Sequence, residues 1–215
     1  MPVKVKICGL DRPETVDAAI EHGAAFTGFV FYPPSPRNLT AKDAHALTER
    51  VPANVVKVAL FVDPADDDVA AVLAVNSIDL IQLHGSESPD RVAEIKSATG
   101  VPVMKVIKLA GADDLAMSQA YFNVADRLLF DAKPPADMAN ALPGGNALAF
   151  DWELLRDADI PVAWMLAGGL TAENIAEAAD ISRAIAVDVS SGVETAPGVK
   201  SVDKIKAFLA ATRGL

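Results

Sequence analysis

A lone cysteine ends the apolar run VKVKICGL: Cys8 is the only cysteine of the chain, and a glycine and a helix start follow it. A thiol in that place is either a small core residue or a group that does chemistry. Side chains alternate along a strand, so Lys4, Lys6 and Cys8 share one face while Val3, Val5 and Ile7 share the other. If the polar face turns inward, the Lys6 ammonium favours a thiolate at Cys8, and a thiolate can remove a proton. A second reactive group, Asp131, ends the apolar run RLLFD. Aspartate at a strand end is often a turn former or a cap. A carboxyl group in a partly dry pocket can also hold a proton and donate it, so Cys8 and Asp131 make a candidate base and acid.

Other residue types at strand ends suit binding. Arg37 follows Pro33, Pro34 and Pro36 in FYPPSPRN, a stiff loop able to hold a planar guanidinium where it can fork onto a carboxylate. The alternative is a solvated loop arginine. His84 in LIQLHG has no second histidine nearby, which fits a hydrogen-bonding strand-end residue better than a metal ligand. LAGGLTAENI and VDVSSGVE carry the Gly168–Gly169 pair and then Asp188, Ser190, Ser191 and Gly192. Small residues let backbone N–H groups approach an anion closely, and two such loops at successive strand ends predict a phosphate site.

The elements that must position these groups are eight short runs rich in Val, Ile, Leu and Phe, alternating with segments of helical apolar spacing. The runs are VKVKICGL, FTGFVFY, VVKVALFVD, LIQLHG, PVMKVIKL, RLLFDAK, PVAWMLAGG and AIAVDVSSG. Between the first runs, RPETVDAAIEHG and AKDAHALTERV suit amphipathic helices. The first is expected to begin near Asp11 and Pro13 and to stop at Gly23, the second to begin after Asn38 and Thr40. Shared among eight β-then-α units, 215 residues give roughly 27 per unit. Strict alternation predicts a parallel sheet with helices outside, and eight units favour a closed (β/α)₈ TIM barrel over an open doubly wound sheet. One barrel domain over residues 1–215 is expected. The irregular stretch KPPADMANALPGGNALAF, with three prolines and two adjacent glycines, is expected to be a loop over the site.

Composition narrows the function class. The chain is 51% hydrophobic with a net charge of −10. That charge argues against nucleic-acid or anionic-membrane surfaces, which are recruited by Lys/Arg clusters. No apolar run is long enough to span a membrane, and the N-terminus lacks a signal-type region, so a soluble cytoplasmic protein is expected. One cysteine cannot form an internal disulfide, and no Cys/His pairs have zinc spacing.

KICGL, GFVFYPPSPRNL, QLHG, LLFDAK, FDW, LAGGLTAENI and VDVSSGVE together resemble, in order and approximate spacing over nearly the whole chain, the phosphoribosylanthranilate isomerase family of tryptophan biosynthesis. The resemblance implies a (β/α)₈ barrel and isomerisation of N-(5-phosphoribosyl)anthranilate to 1-(2-carboxyphenylamino)-1-deoxyribulose 5-phosphate, without cofactor or metal. It implies that Cys8 is the general base and Asp131 the general acid, with Arg37 at the anthranilate carboxylate and His84 near the anthranilate moiety. The expected partner is a small phosphorylated substrate, with no nucleic acid and no membrane; monomer and homodimer both stay open. One departure is visible: the family commonly shows GGTG or GGSG before FDW, and here Asn146 and Ala147 replace the hydroxyl and final glycine. Other readings are a ribulose-phosphate epimerase, which would want a His/Asp metal cluster, and a dual-substrate isomerase, which would be expected to use paired aspartates. A phosphometabolite sensor and a thiol redox protein also remain, the latter without a resolving cysteine.

Overall fold

Eight parallel strands close on themselves in sequence order: Lys4–Cys8 (β1), Phe26–Phe31 (β2), Val56–Phe61 (β3), Leu80–Leu83 (β4), Val103–Leu109 (β5), Arg127–Ala132 (β6), Ala163–Leu166 (β7) and Ala186–Val189 (β8). The ring closes where β1 pairs with β8, Lys6 standing opposite Asp188, while Cys8 stands opposite Gly28 of β2. This computed structural model describes residues 2–134, 144–145 and 148–215. The expected closed barrel is what forms, and the open sheet is not.

Helices follow the strands in turn: Pro13–Glu21 (α1), Ala41–Thr48 (α2), Asp66–Leu73 (α3), Pro89–Thr99 (α4), Ala112–Met117 (α5), Glu153–Arg156 (α6), Ile175–Ser182 (α7) and Val202–Ala211 (α8). Their starts follow local chemistry. Thr40 accepts from the Asp43 N–H, Ser88 from Arg91 and Ser201 from Lys204, each such cap stabilising by about 1 kcal/mol. Helix α1 begins at Pro13 as expected, with Arg12 at the N-cap position. Asn38 bridges to Val30 and leaves the cap of α2 to Thr40. Gly23 ends α1 as expected, at φ 96°.

Burial sorts the strand residues by face. Val5, Ile7, Phe29, Ala59, Ile81, Phe130 and Val187 pack outward under the helices. Inside the ring, Phe26, Val58, Leu80, Met104, Val106, Leu129, Met165 and Ala186 fill the lower barrel, so it is a packed core and not a pore. Nearer the C-terminal rim the inward residues become Cys8, Val30 and Leu60, and polar groups appear among them. Lys6 and Gln82 lie inside with no exposed surface.

After β8 the chain makes a 3-10 turn, Ser191–Val193, and then a small antiparallel hairpin, Glu194–Ala196 (β9) with Val199–Lys200 (β10). This hairpin lies outside the eight-unit pattern.

Candidate active site

At the C-terminal end of the barrel a cavity of about 780 Å³, counted to its open mouth, is lined by every candidate site residue: Cys8, Arg37, His84, Asp131, Gly168, Gly169, Asp188, Ser190, Ser191 and Gly192. Residues from six strands or their following loops meet there, because each strand delivers its last inward side chain to the same rim. Gly144 and Gly145 also line it. Of the expected covering loop, residues 135–143 lie outside the described residues, as do Asn146 and Ala147, where the family pattern breaks.

The first corner holds the thiol. Lys6 and Cys8 point inward as the alternation predicts, and Lys6 Nζ donates to Asp188 Oδ1 at 2.9 Å inside the barrel. Burial works against the Lys6 charge, but Asp188 and Cys8 outweigh it and hold the ammonium above its ordinary range. The expected effect on Cys8 is only partly realised. Burial pushes the thiol up, and although Lys6 and Lys200 pull it down, Asp188 adds to burial, so the net direction is upward. Burial is the larger cause, and the Asp188 carboxylate beside Lys6 adds to it. Gly28 leaves room for this corner: a Cβ there would come within 3.1 Å of both Cys8 Sγ and Lys6 Cε.

Across the cavity, Asp131 Oδ1 accepts from the Ala132 N–H at 2.9 Å, and Oδ2 lies 3.3 Å from His84 Nε2. The other ring nitrogen of His84, Nδ1, is 3.2 Å from Gln82 Nε2. Gly144 is pressed against this pair, since a Cβ on it would fall 2.5 Å from the imidazole and 2.9 Å from Asp131 Oδ2. His84 is held from outside the barrel as well. Glu87 accepts from the N–H groups of Asp63 and Gly85, while Lys105 donates to the Gly85 carbonyl and to Glu87 Oε2, both at 2.8 Å.

Arg37 is 5% exposed, which removes the solvated-loop reading. Its Nε and Nη2 fork onto Glu194 Oε1 and Oε2 at 2.7 and 2.8 Å, leaving Nη1 toward Gly145. Burial opposes the guanidinium charge, and the two Glu194 bonds outweigh that and raise its affinity for the proton. Lys200 Nζ also pairs with Glu194 and donates to Ser190 Oγ at 3.3 Å, while Ser190 Oγ donates to the Cys8 carbonyl at 3.2 Å. Glu194, Lys200 and Gln82 were not singled out from the sequence. Pro197–Gly198 between two short β-prone pairs was a usable hairpin signal for the first two. Gly198 adopts φ 80° and a Cβ there would approach the Pro36 carbonyl to 2.8 Å, so the hairpin turn is fitted to the proline loop that carries Arg37.

The small-residue loops form the remaining wall. Gly168 and Gly169 take φ 87° and 64°, a left-handed pair that glycine adopts without strain, and a Cβ on either would meet backbone within 3 Å. Asn174 fixes the loop, accepting from Thr171 N–H and donating to the Gly169 carbonyl. The N–H groups of Gly168, Gly169, Ser191 and Gly192 donate to no other described residue. Unspent backbone donors on two adjacent loops suit an anion. Asp188, although it lines this end, commits Oδ1 to Lys6, which places it with the thiol corner more than with the N–H groups.

Comparison with known proteins agrees with this geometry. Residues 5–211 match the family model for N-(5'phosphoribosyl)anthranilate (PRA) isomerase. N-(5'-phosphoribosyl)anthranilate isomerase of Paramagnetospirillum magneticum is 55% identical, covering 100% of this chain and 99% of its own; that of Paracoccus denitrificans is 54% identical over 98% and 97%. The crystal structure of phosphoribosyl anthranilate isomerase from Thermotoga maritima superposes with a TM-score of 0.87 at 34% identity, covering 99% of this chain and all of its own. A crystal structure of such an isomerase in complex with reduced 1-(o-carboxyphenylamino)-1-deoxyribulose 5-phosphate superposes with a TM-score of 0.84 at 33% identity, with 99% and 100% covered. A match of this extent, on a closed barrel with these residues at its rim, settles the relationship: the chain belongs to the N-(5'-phosphoribosyl)anthranilate isomerase family.

Proposed function

We propose that the whole chain acts as one barrel domain that isomerises N-(5'-phosphoribosyl)anthranilate in tryptophan biosynthesis, with Asp131 as general acid and Cys8 as general base. The observation that carries the role assignment is that the thiol and the carboxyl line one cavity that also holds the Arg37 guanidinium and the small-residue loops after β7 and β8, whose N–H groups donate to no other described residue. A substrate with a carboxylate at one end and a phosphate at the other spans such a cavity with its ribose carbons between acid and base. Fixing both ends lowers the entropic cost of reaching the reactive geometry.

In this reading Asp131 protonates the ribose ring oxygen as the anomeric C–O bond breaks, giving an open-chain iminium. The Cys8 thiolate removes the proton on C2′, and the enolamine that forms tautomerises to the ketone, with a proton returned to C1′. Carbon 2′ is oxidised as carbon 1′ is reduced, so the electrons balance within the substrate and no external oxidant is needed. The base must be the thiolate, and burial keeps the resting group as a thiol. Lys6, Lys200 and Arg37 are the cations that stabilise the thiolate once its proton leaves.

A reduced thiol as base suits the cytoplasm, where thiols stay reduced, and no helix among the described residues is long and apolar enough to cross a membrane. One Thermotoga maritima relative is described as a dimer from which monomers were generated. Monomer and homodimer are both compatible with a site built from one chain. Turnover is read by generating the substrate in situ from anthranilate and phosphoribosyl pyrophosphate with the preceding transferase, and following loss of anthranilate-type fluorescence. Wild type should turn over, and Cys8→Ala and Asp131→Asn should each lose about 10²- to 10⁴-fold in kcat with much smaller changes in KM. A variant that keeps wild-type kcat removes its residue from the assigned role.

A further inference from the structure

We infer that Gln82 is a positioning residue that sets the tautomer of His84, so that the imidazole turns an N–H, and not a bare nitrogen, toward Asp131. The inference rests on the reading of Asp131 as the acid.

Gln82 lies on the inward face of β4, two residues before His84, with no exposed surface. Its Nε2 lies 3.2 Å from His84 Nδ1. In the amide orientation of the structure Nε2 faces the ring and can only donate, so Nδ1 accepts and the ring proton of a neutral imidazole belongs on Nε2. That Nε2 lies 3.3 Å from Asp131 Oδ2, off the hydrogen-bond line, and has no other partner among the described residues. A contact of this length can tighten into a hydrogen bond around substrate.

The consequence falls on the acid. Asp131 Oδ1 already accepts the Ala132 N–H. With an imidazole N–H at Oδ2, a proton carried by Asp131 has no acceptor among the described residues and is left for a group in the cavity that Asp131 lines. In the other tautomer the bare Nε2 would accept that proton, and the acid would be hydrogen-bonded to His84 and not to the ribose oxygen. Gln82 therefore keeps the proton available.

A structural role does not account for the amide. Leu80 precedes it on the same face, and Met104 stands opposite on β5, both apolar. Gln82 Oε1 has no hydrogen-bond partner among the described residues, and burying such a group costs about 1–3 kcal/mol. An apolar side chain of the same length would fill the space without that cost, as expected of a residue kept for what its Nε2 does.

The test reads the tautomer in the resting enzyme, without turnover. Long-range proton–nitrogen correlation spectra of ¹⁵N-labelled protein resolve the ring nitrogens of its three histidines, and His84 is assigned by its loss in His84→Asn. The expected result is a protonated Nε2 and an unprotonated Nδ1. Gln82→Met removes the donor at nearly constant volume and suits an apolar barrel interior. It should replace the single tautomer by a mixture and lower kcat about tenfold or more, with KM within about threefold. A wild-type His84 with its proton on Nδ1 overturns the inference. So does a Gln82→Met protein that keeps the pure Nε2–H form, or one that loses it with kcat within about twofold of wild type. Failure of the acid reading shows separately, as wild-type kcat in Asp131→Asn, and overturns the catalytic meaning of the tautomer while leaving the spectrum unchanged.

Discussion

Arg37 and Glu194 meet fork to fork, two parallel N–H···O bonds of 2.7 and 2.8 Å between side chains that are almost fully buried. The residues are 157 positions apart, one in the loop after β2 and the other at the start of the hairpin after β8. This bond fixes the guanidinium plane and leaves Nη1 on the cavity side. Burial pushes the Glu194 carboxyl up, but Arg37 and Lys200 on either side outweigh it and hold the group below its ordinary range, so it stays ionised. Three charged groups in contact carry one net positive charge, the complement of a single carboxylate.

Removing that fork should release Arg37. Glu194→Ala is expected to raise KM about tenfold or more with a smaller change in kcat, matching the direction of Arg37→Ala. Steady-state kinetics on both variants checks this. A lowered KM for Glu194→Ala would mean that Glu194 competes with the substrate for Arg37 and does not orient it.

The same hairpin reaches the thiol through Lys200. Four charged groups bear on Cys8: Lys6 of β1, Asp188 of β8, Lys200 of β10 and Arg37 of the β2 loop. Burial raises the thiol and Lys200 opposes it, so losing this cation disfavours the thiolate further. Lys200→Met should move the acid limb of the kcat/KM profile to higher pH, with activity partly restored in alkaline buffer. Glu194 keeps Arg37 as a partner in that variant, which limits structural damage. An acid limb that does not move would show that Cys8 ionisation does not govern the limb or that Lys200 does not act on it.

The barrel and its rim were legible because each follows a short-range rule. Period-two alternation placed Lys6 and Cys8 inside, β-then-α alternation closed the ring, and two small-residue loops marked the wall with free N–H groups. Glu194, Lys200 and Gln82 were not legible for a different reason. Each acts through a partner far away in the chain or hidden on the inner face of a strand: Glu194 through Arg37, Lys200 through Ser190, Gln82 through the tautomer of His84. Asp188 lines the cavity as expected, and its bond to Lys6 was not legible because nothing local in VDVSSG sets Lys6 opposite it.

Gly192 gives a test of the proposed phosphate wall. A methyl group there would run into the Leu170 carbonyl oxygen, which is backbone and cannot swing aside. Gly192→Ala must therefore shift the Ser191–Gly192 turn away from the Gly168–Gly169 loop. The expected result is a KM raised about tenfold or more and weaker inhibition by inorganic phosphate, with kcat at saturation less affected. Equal inhibition by phosphate in variant and wild type would place the anion elsewhere.

Glu87 and Lys105 make the sharpest prediction about stability. Their side chains are 1% and 3% exposed and pair at 2.8 Å, beneath the loop that carries His84. Removing one partner strands a buried charge, so Glu87→Ala should lose about 3–5 kcal/mol, seen as a lower urea midpoint at neutral pH. Glu87→Leu combined with Lys105→Met strands no buried charge, and although the Asp63 and Gly85 N–H groups lose their acceptor it should recover part of the loss. Burial raises the Glu87 carboxyl, yet the Lys105 charge and hydrogen bond, with N–H donors from the loop, outweigh it and leave it lowered. A carboxyl group lowered in the folded state binds fewer protons there than in the unfolded chain. Its stabilisation is complete above the unfolded value of about 4.3 and is lost as pH falls through the lower folded value. Wild type should consequently lose stability in acid more steeply than the double variant, and parallel acid limbs would show that the pair does not hold Glu87 ionised. Lys105 also holds the Gly85 carbonyl, so the double variant should fold well and still lose kcat, because the β4 loop no longer fixes His84 beside Asp131.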